Sequence, residues 1–142
     1  MKISTKGRYA LRIMLDLAAC DRKTCTPLRE IAQRQEISEK YLEAIIKDLV
    51  KARLVTGTRG KSGGYALAKD PKACTVGSIL KCTEGSLSPV ACLDSDENLC
   101  PRAGRCATLP MWRELDELID RYLESVTLSD LMEQSKIEHE IP

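Results

Sequence analysis

The amino-acid sequence predicts a mainly α-helical chain carrying one small β-hairpin. Three observations predict it. Apolar residues recur at helical spacing in several separate segments. Two short β-prone runs, residues 54–59 and 65–68, flank the glycine-rich tip Gly60-Lys61-Ser62-Gly63-Gly64. Ahead of them lie two helical segments separated by a turn of three or four residues, the spacing of a helix-turn-helix. Together these describe a winged helix-turn-helix followed by a long C-terminal helix.

In chain order, residues 5–19 place Tyr9, Leu11, Ile13, Met14, Leu17 and Ala18 on one face of an amphipathic helix. Asp21-Arg22-Lys23-Thr24 breaks it. Thr26-Pro27 then reads as an N-cap followed by proline at the first helical position, where its missing N–H costs nothing. This short helix turns Leu28, Ile31 and Ala32 inward and ends near Gln33-Arg34-Gln35-Glu36. Ser38 is the next N-cap. It opens a longer helix to about Ala52, with Tyr41, Leu42, Ile45, Ile46 and Leu49 on its inner face.

The tip of the hairpin is not the pattern of a nucleotide-binding P-loop, and no helix N-terminus follows it, which argues against a phosphate cradle. Thr75 caps a short helix carrying Val76, Ile79 and Leu80. Residues 84–108 show almost no periodicity, and so long a connection is normally functional or disordered. Pro110 opens a long helix with Leu115, Leu118, Ile119, Tyr122 and Leu123 on one face. Thr127-Leu128-Ser129-Asp130 has the spacing of a capping box for a final short helix, and the charged tail from about Gln134 reads as frayed.

The chain's 142 residues are about one domain's worth, and 43% hydrophobic with 30% charged residues is an ordinary globular composition. The start of the chain lacks the apolar core of a signal peptide, and no stretch approaches the roughly 18–20 apolar residues that span a bilayer. A cytoplasmic chain with no membrane partner is therefore expected, its seven cysteines reduced and available for metal or redox chemistry. Net charge is +1, but it hides an asymmetry. Residues 1–64 hold 14 Lys and Arg against 7 Asp and Glu, whereas residues 65–142 hold 8 against 14. A basic first half suits a nucleic-acid-binding module.

A recognition helix presents short polar side chains near its N-terminus to base edges in the major groove. Here these are Ser38, Glu39, Lys40, Tyr41 and Glu43. Glutamate can accept from cytosine N4, while lysine and serine suit phosphate or guanine. Arg59 and Lys61 at the hairpin tip suit phosphates or the minor groove. Lys2, Lys6 and Arg8 would add backbone contacts, giving affinity without sequence information. No nucleophile–base pair and no C-x-x-C motif supports an enzyme.

Three segments carry a resemblance: Lys2-Ile3-Ser4-Thr5-Lys6-Gly7-Arg8-Tyr9-Ala10, Ile37-Ser38-Glu39-Lys40-Tyr41-Leu42-Glu43 and Arg59-Gly60-Lys61-Ser62-Gly63-Gly64-Tyr65. They resemble the Rrf family of bacterial winged-helix transcription regulators, to about residue 132. The resemblance implies a homodimer held by the long C-terminal helix and bound to double-stranded DNA at a palindromic operator. In its iron–sulfur members, the residues matching Lys40, Tyr41 and Glu43 lie at the DNA and the wing arginine lies in the minor groove. The expected division is a DNA-binding head over 1–83, a cysteine-bearing loop over 84–108, and a dimerisation helix with tail over 109–142.

Cys92, Cys100 and Cys106 have the spacing C-x7-C-x5-C, which is not the paired C-x-x-C of a zinc ribbon. Iron–sulfur clusters are held by cysteine thiolates, and three leave a fourth ligand to come from elsewhere. The alternatives are three unrelated thiols or a reversible disulfide. The resemblance implies an iron–sulfur cluster, 4Fe-4S or 2Fe-2S, sensing cluster supply, iron, or redox and nitric-oxide state. This chain departs from the family at the fourth ligand. Leu109 stands where some members have a histidine, and Gly7-Arg8-Tyr9 has no carboxylate where others borrow one. Asp94, Asp96 and Glu97, a small thiol or a solvent oxygen remain, and the single histidine, His139, sits in the tail. Cys20, Cys25, Cys74 and Cys82 are expected to behave as small buried apolar residues. A second reading is a cluster-free regulator of cysteine metabolism acting through a partner protein, a cysteine-biosynthetic enzyme, because Glu84-Gly85-Ser86-Leu87-Ser88-Pro89-Val90 resembles that branch of the family.

Overall fold

The computed structural model describes the backbone of residues 1–140 and the side chains to Lys136. Ser4, in extended conformation, caps α1 (Thr5–Ala18) by accepting from the Gly7 N–H at 3.1 Å. That satisfies one of the donors a helix start leaves free. Ala10, Ile13, Met14 and Leu17 line the sealed face of α1, four positions at helical spacing.

The helix α2 (Leu28–Gln35) buries Ile31 and Ala32, as its pattern requires. The expected cap at Thr26 does not form. Thr26 pairs antiparallel with Tyr65 instead: each backbone N–H donates to the other's carbonyl at 2.8 Å. With the Thr26 main chain engaged there, Pro27, in extended conformation, takes the cap position without a side-chain bond. Glu36 closes α2 in the left-handed region at φ 55°.

The helix α3 (Glu39–Lys51) is capped by Ser38, whose hydroxyl accepts from the Tyr41 N–H at 3.2 Å. It buries Leu42, Ile45, Ile46 and Leu49, while Tyr41 is half-buried at the rim. The wing is the antiparallel pair β1 (Val55–Thr58) and β2 (Gly64–Leu67), with Val55 opposite Leu67 and Thr58 opposite Gly64. Gly64 has φ 153°, and a Cβ there would collide with the Thr26–Pro27 backbone. Only glycine lets the wing lie this close to the connection between α1 and α2.

A short 3-10 turn at Pro71–Ala73 leads to α4 (Val76–Glu84), capped by Thr75 accepting from the Ser78 N–H at 3.0 Å. Residues 85–108 contain only two further 3-10 turns, Ala91–Leu93 and Ala103–Arg105. Then come α5 (Leu109–Ser125) and α6 (Leu128–Glu140). The capping box forms: the Thr127 N–H donates to Asp130 at 2.9 Å and the Asp130 N–H donates to the Thr127 hydroxyl at 3.1 Å. Hydrogen bonding from the Thr127 backbone N–H and then from its hydroxyl holds the Asp130 carboxyl below its ordinary range. The last helix is longer than expected, running past Gln134 to Glu140. Its first turn is anchored by Leu128, sealed in the main core, and a Glu133–Lys136 pair at 3.5 Å lies on its surface. His139 lies outside the described side chains.

One core joins α1, α2, α3, the wing, Cys74, Ile79 and Leu128. A second, smaller cluster of Val76, Leu80 and Leu87 gathers Ile3, Leu11, Leu123, Val126 and Leu131 beneath α5. Ile79 is fully buried where α4 meets the main core. Ile79→Ala is expected to lower stability by about 3 kcal/mol, through lost burial and the cavity left behind. Urea unfolding checks this against Glu117→Ala on the surface, expected within about 0.5 kcal/mol of the parent.

Candidate nucleic-acid interface and cysteine loop

The first turns of α3 expose Ser38, Glu39, Lys40 and Glu43 together, on the side opposite its buried residues. Tyr41 is held by packing: its ring meets Tyr9 of α1 edge-on, with centroids 5.8 Å apart. The Arg12 guanidinium stands 4.9 Å from the centre of the Tyr9 ring and donates to Gln35 at the end of α2, through the side chain at 3.2 Å and also to the backbone carbonyl. The start of the recognition helix is thus fixed to both preceding helices.

Arg59 and Lys61 are exposed at the wing. A cleft of about 540 Å³ between α3 and the hairpin is lined by Lys47, Val50, Arg59, Gly60 and Tyr65. It adds Lys47, which the sequence reading missed although it lies one turn beyond Glu43, its ion-pair partner at 3.8 Å. Lys23 is a second addition. It lines a smaller cleft with Lys61 and Ser62, where the Thr26–Tyr65 pairing and the Cys25–Thr58 bond bring the loop after α1 to the wing.

The basic residues at the start of α1 and just ahead of it divide. Lys2 and Arg8 are exposed, and Arg8 donates to Thr5 at 3.1 Å. Lys6 is half-buried and paired with Asp48 of α3 at 2.5 Å. The hydrogen bond to Asp48 raises its pKa, so its charge persists. Lys6 is a strut between the two helices as well as a candidate DNA contact.

The three loop cysteines lie apart in character. Cys92 is half-buried in the Ala91–Leu93 turn, Cys100 is exposed, and Cys106 is half-buried ahead of α5. Among the described residues no three His, Cys, Asp or Glu side chains lie close enough to hold a metal ion. The fold as it stands therefore does not bring Cys92, Cys100 and Cys106 together as one ligand set. The loop is braced by Ser86 donating to Asp94 at 2.7 Å and Ser88 to the Leu93 carbonyl at 2.9 Å. Asn98 accepts from the Cys100 N–H at 3.0 Å, but its own buried amide nitrogen has no partner. Hydrogen bonds from Thr108, through hydroxyl and backbone, and then from the Leu109 backbone hold the Cys106 thiol below its ordinary range. Leu109, in the position of the family histidine, is buried and offers no donor atom.

The other four cysteines do not all behave alike. Cys74 is sealed in the core and Cys82 packs against it, and burial pushes both thiols up. Cys20, Cys25 and Cys82 are only half-buried, contrary to expectation; for Cys20 and Cys25 the connection after α1 runs along the rim of the core. Cys20 donates to the Asp16 carbonyl at 3.3 Å, and Cys25 to the Thr58 hydroxyl at 3.4 Å.

One side of α5 is clamped to α4. Lys81 sits between Asp120 at 2.5 Å and Glu124 at 2.9 Å, and Thr75 donates to Glu124 at 2.8 Å. The other side carries Met111, Leu115, Leu118 and Tyr122, exposed by 51, 38, 49 and 67%. Their spacing of four, three and four residues is that of a helix-pairing seam. The expected single apolar face is therefore two: Ile119 and Leu123 lie half-buried, while Leu115, Leu118 and Tyr122 face outward.

Residues 3–134 match a family model described as Rrf2, an iron-dependent transcriptional regulator. The chain belongs to the Rrf2 family. It is 36% identical over 137 residues to the HTH-type transcriptional regulator IscR of Vibrio vulnificus, covering 96% of this chain and 80% of that protein. Its fold matches T. potens IscR with TM-score 0.76 at 36% identity, over all of this chain and 93% of the other. It also matches CymR, the global cysteine regulator of B. subtilis, with TM-score 0.73 at 40% identity, over 92% of this chain and 95% of that one. As an Rrf2-family member the chain is a DNA-binding transcriptional regulator of the winged-helix type, not an enzyme. No described helix is long and apolar enough to cross a membrane.

The depressed Cys106 thiol holds more thiolate near neutral pH than the raised Cys74 and Cys82, and thiolate is the reactive form. Iodoacetamide at pH 7, followed by peptide mass spectrometry, is expected to label Cys106 well ahead of Cys74 and Cys82. Thr108→Val should slow Cys106 by several-fold and leave the other two unchanged.

Proposed function

We propose that this Rrf2-family regulator acts as a cytoplasmic homodimer on a palindromic operator, and that Cys92, Cys100 and Cys106 hold an iron–sulfur cluster reporting cluster supply, iron, or redox and nitric-oxide state. The single observation that carries the sensing part is the placement of three reduced thiols on one loosely braced connection, directly ahead of the helix with the uncovered apolar seam. Three soft thiolates fit an iron–sulfur cluster in kind. Because they are not gathered in the present fold, binding requires residues 92–106 to close up, and the unpartnered Asn98 amide supports a second arrangement of this loop. Bound, the cluster would supply reactivity toward oxidants and nitric oxide. Asp94, Asp96 and Glu97 are the carboxylates that this loop itself offers as a fourth ligand.

The chain's own residues would do the rest. Met111, Leu115, Leu118 and Tyr122 pair two copies across α5. The pairing sets the separation of two reading heads, hence the half-site spacing. In each head, Ser38, Glu39, Lys40, Tyr41 and Glu43 face bases, while Arg59 and Lys61 reach the backbone or minor groove, and Arg8 with Lys6 anchors phosphates. A loop that closes beside α5 shifts DNA affinity only to the extent that the closed and open forms bind DNA differently.

A second reading has specific support. The ungathered thiols and the 40% identity to the cysteine regulator CymR favour a cluster-free protein acting through a cysteine-biosynthetic enzyme. Anaerobic reconstitution decides between them. The cluster reading expects brown protein with iron and acid-labile sulfide, both lost in Cys92→Ala. Colourless, iron-free protein that instead captures the enzyme would replace it with the second reading. Leu118→Glu, which puts a charge into the seam, is expected to move the chain from dimer to monomer in sedimentation and to weaken binding to a palindromic duplex by at least tenfold.

A further inference from the structure

Glu84 is the last residue of α4 and the one from which the cysteine loop departs. Its carboxylate does not point to solvent. One oxygen, Oε1, accepts from the Ser4 backbone N–H at 3.0 Å and from the Ser4 hydroxyl at 2.5 Å. It thus sits on the first turn of α1, where unpaired N–H groups and the helix dipole favour a negative charge. Gly7 makes room for it. Gly7 is buried, and a Cβ there would collide with the Glu84 carboxylate and press on Ile3. The turn so gripped carries Lys6 and Arg8, and Lys6 continues the connection to Asp48 on the recognition helix. The next residue, Gly85, turns the chain out of α4 at φ 78°, its N–H donating to the Lys81 carbonyl at 3.1 Å, and the loop is next seated by Leu87 in the second core cluster.

We propose that Glu84 is a positioning residue for DNA binding: it fixes the basic first turn of α1 and links it to the start of the cysteine loop. The inference rests on the DNA-binding reading of α1 and deepens it. When the loop pulls on Gly85, Glu84 leaves Ser4, and the first turn with Lys6 and Arg8 loosens while the buried remainder of α1 holds.

Two variants separate positioning from charge. Glu84→Gln removes a negative charge close to DNA, so electrostatics alone predicts tighter binding to every sequence. Gly7→Ala leaves the charge intact, displaces the end of the flexible Glu84 side chain and presses on Ile3. The probe is a labelled duplex enriched by the wild-type chain from a random-sequence pool, compared with a scrambled duplex by fluorescence anisotropy. Both variants are expected to weaken the enriched duplex on the order of tenfold, with the scrambled duplex unchanged or tighter for Glu84→Gln and melting temperatures close to wild type. In parallel, hydrogen exchange of the free protein should show faster exchange at residues 4–8 and 85–94 together in both variants. Unchanged exchange at either segment overturns the link between loop and helix. Exchange that responds while binding to the enriched duplex does not fall overturns the DNA role alone. Should the wild type enrich no duplex, the DNA reading of α1 fails, and the exchange result still decides the grip.

Discussion

The sealed face of α1 is the constraint on which the rest of the structure depends. Ala10, Ile13, Met14 and Leu17 lie at the centre of the main core, and α2, α3, α4, the wing and the first residue of α6 all close around them. The recognition helix is held in this core by α1, α2, α4 and the wing together. Its inner residues lean on α1, its first turn is steadied through Tyr41 and Tyr9, and its middle is tied by Asp48 to Lys6. Polar side chains reach bases productively only when their backbone is held still, and here a hydrophobic face on another helix supplies that stillness.

The helix α5 resolves a different physical problem. It carries more apolar surface than one partner can cover, and the chain covers only one side of it. The Lys81, Asp120 and Glu124 cluster registers that side against α4, and Gly77 lets the Glu124 side chain lie close. An exposed ion pair of this kind contributes little to stability. Its consequence is directional, for it fixes which way Met111, Leu115, Leu118 and Tyr122 face.

Much of the fold was legible because local and global signals agree. Ser4 and Ser38 have cap chemistry and cap geometry, and the buried residues of α3 match its periodicity but for Tyr41 at the rim. The misreadings arise where tertiary contact overrides a local signal. Thr26 has the composition of a cap, yet its backbone is claimed by a strand distant in sequence. Cys20 and Cys25 have the apolar character of core residues but fall on a connection that the core does not cover. At the candidate site, the residues of α3 and the wing tip could be found from position alone. Lys23 could not, since its nearness to Lys61 depends on the Thr26–Tyr65 bridge, nor could the Glu84 grip, which joins residues 80 positions apart. The residue types named the cysteine loop, whereas their separation in the folded chain is a property of three dimensions only.

That same bridge has a consequence for regulation. A hairpin of two short strands is at best marginally stable alone. Here its inner strand is stitched to the α1–α2 connection at Thr26, with Gly64 pressed against the adjoining backbone, so wing and helix-turn-helix form one rigid tool. Recognition helix and wing therefore keep their mutual placement, whatever happens to the first turn of α1. On the proposed homodimer, selectivity among operators would be tuned by the distance and tilt between two such tools, so the spacer between half-sites, more than their letters, is where a signal would be read.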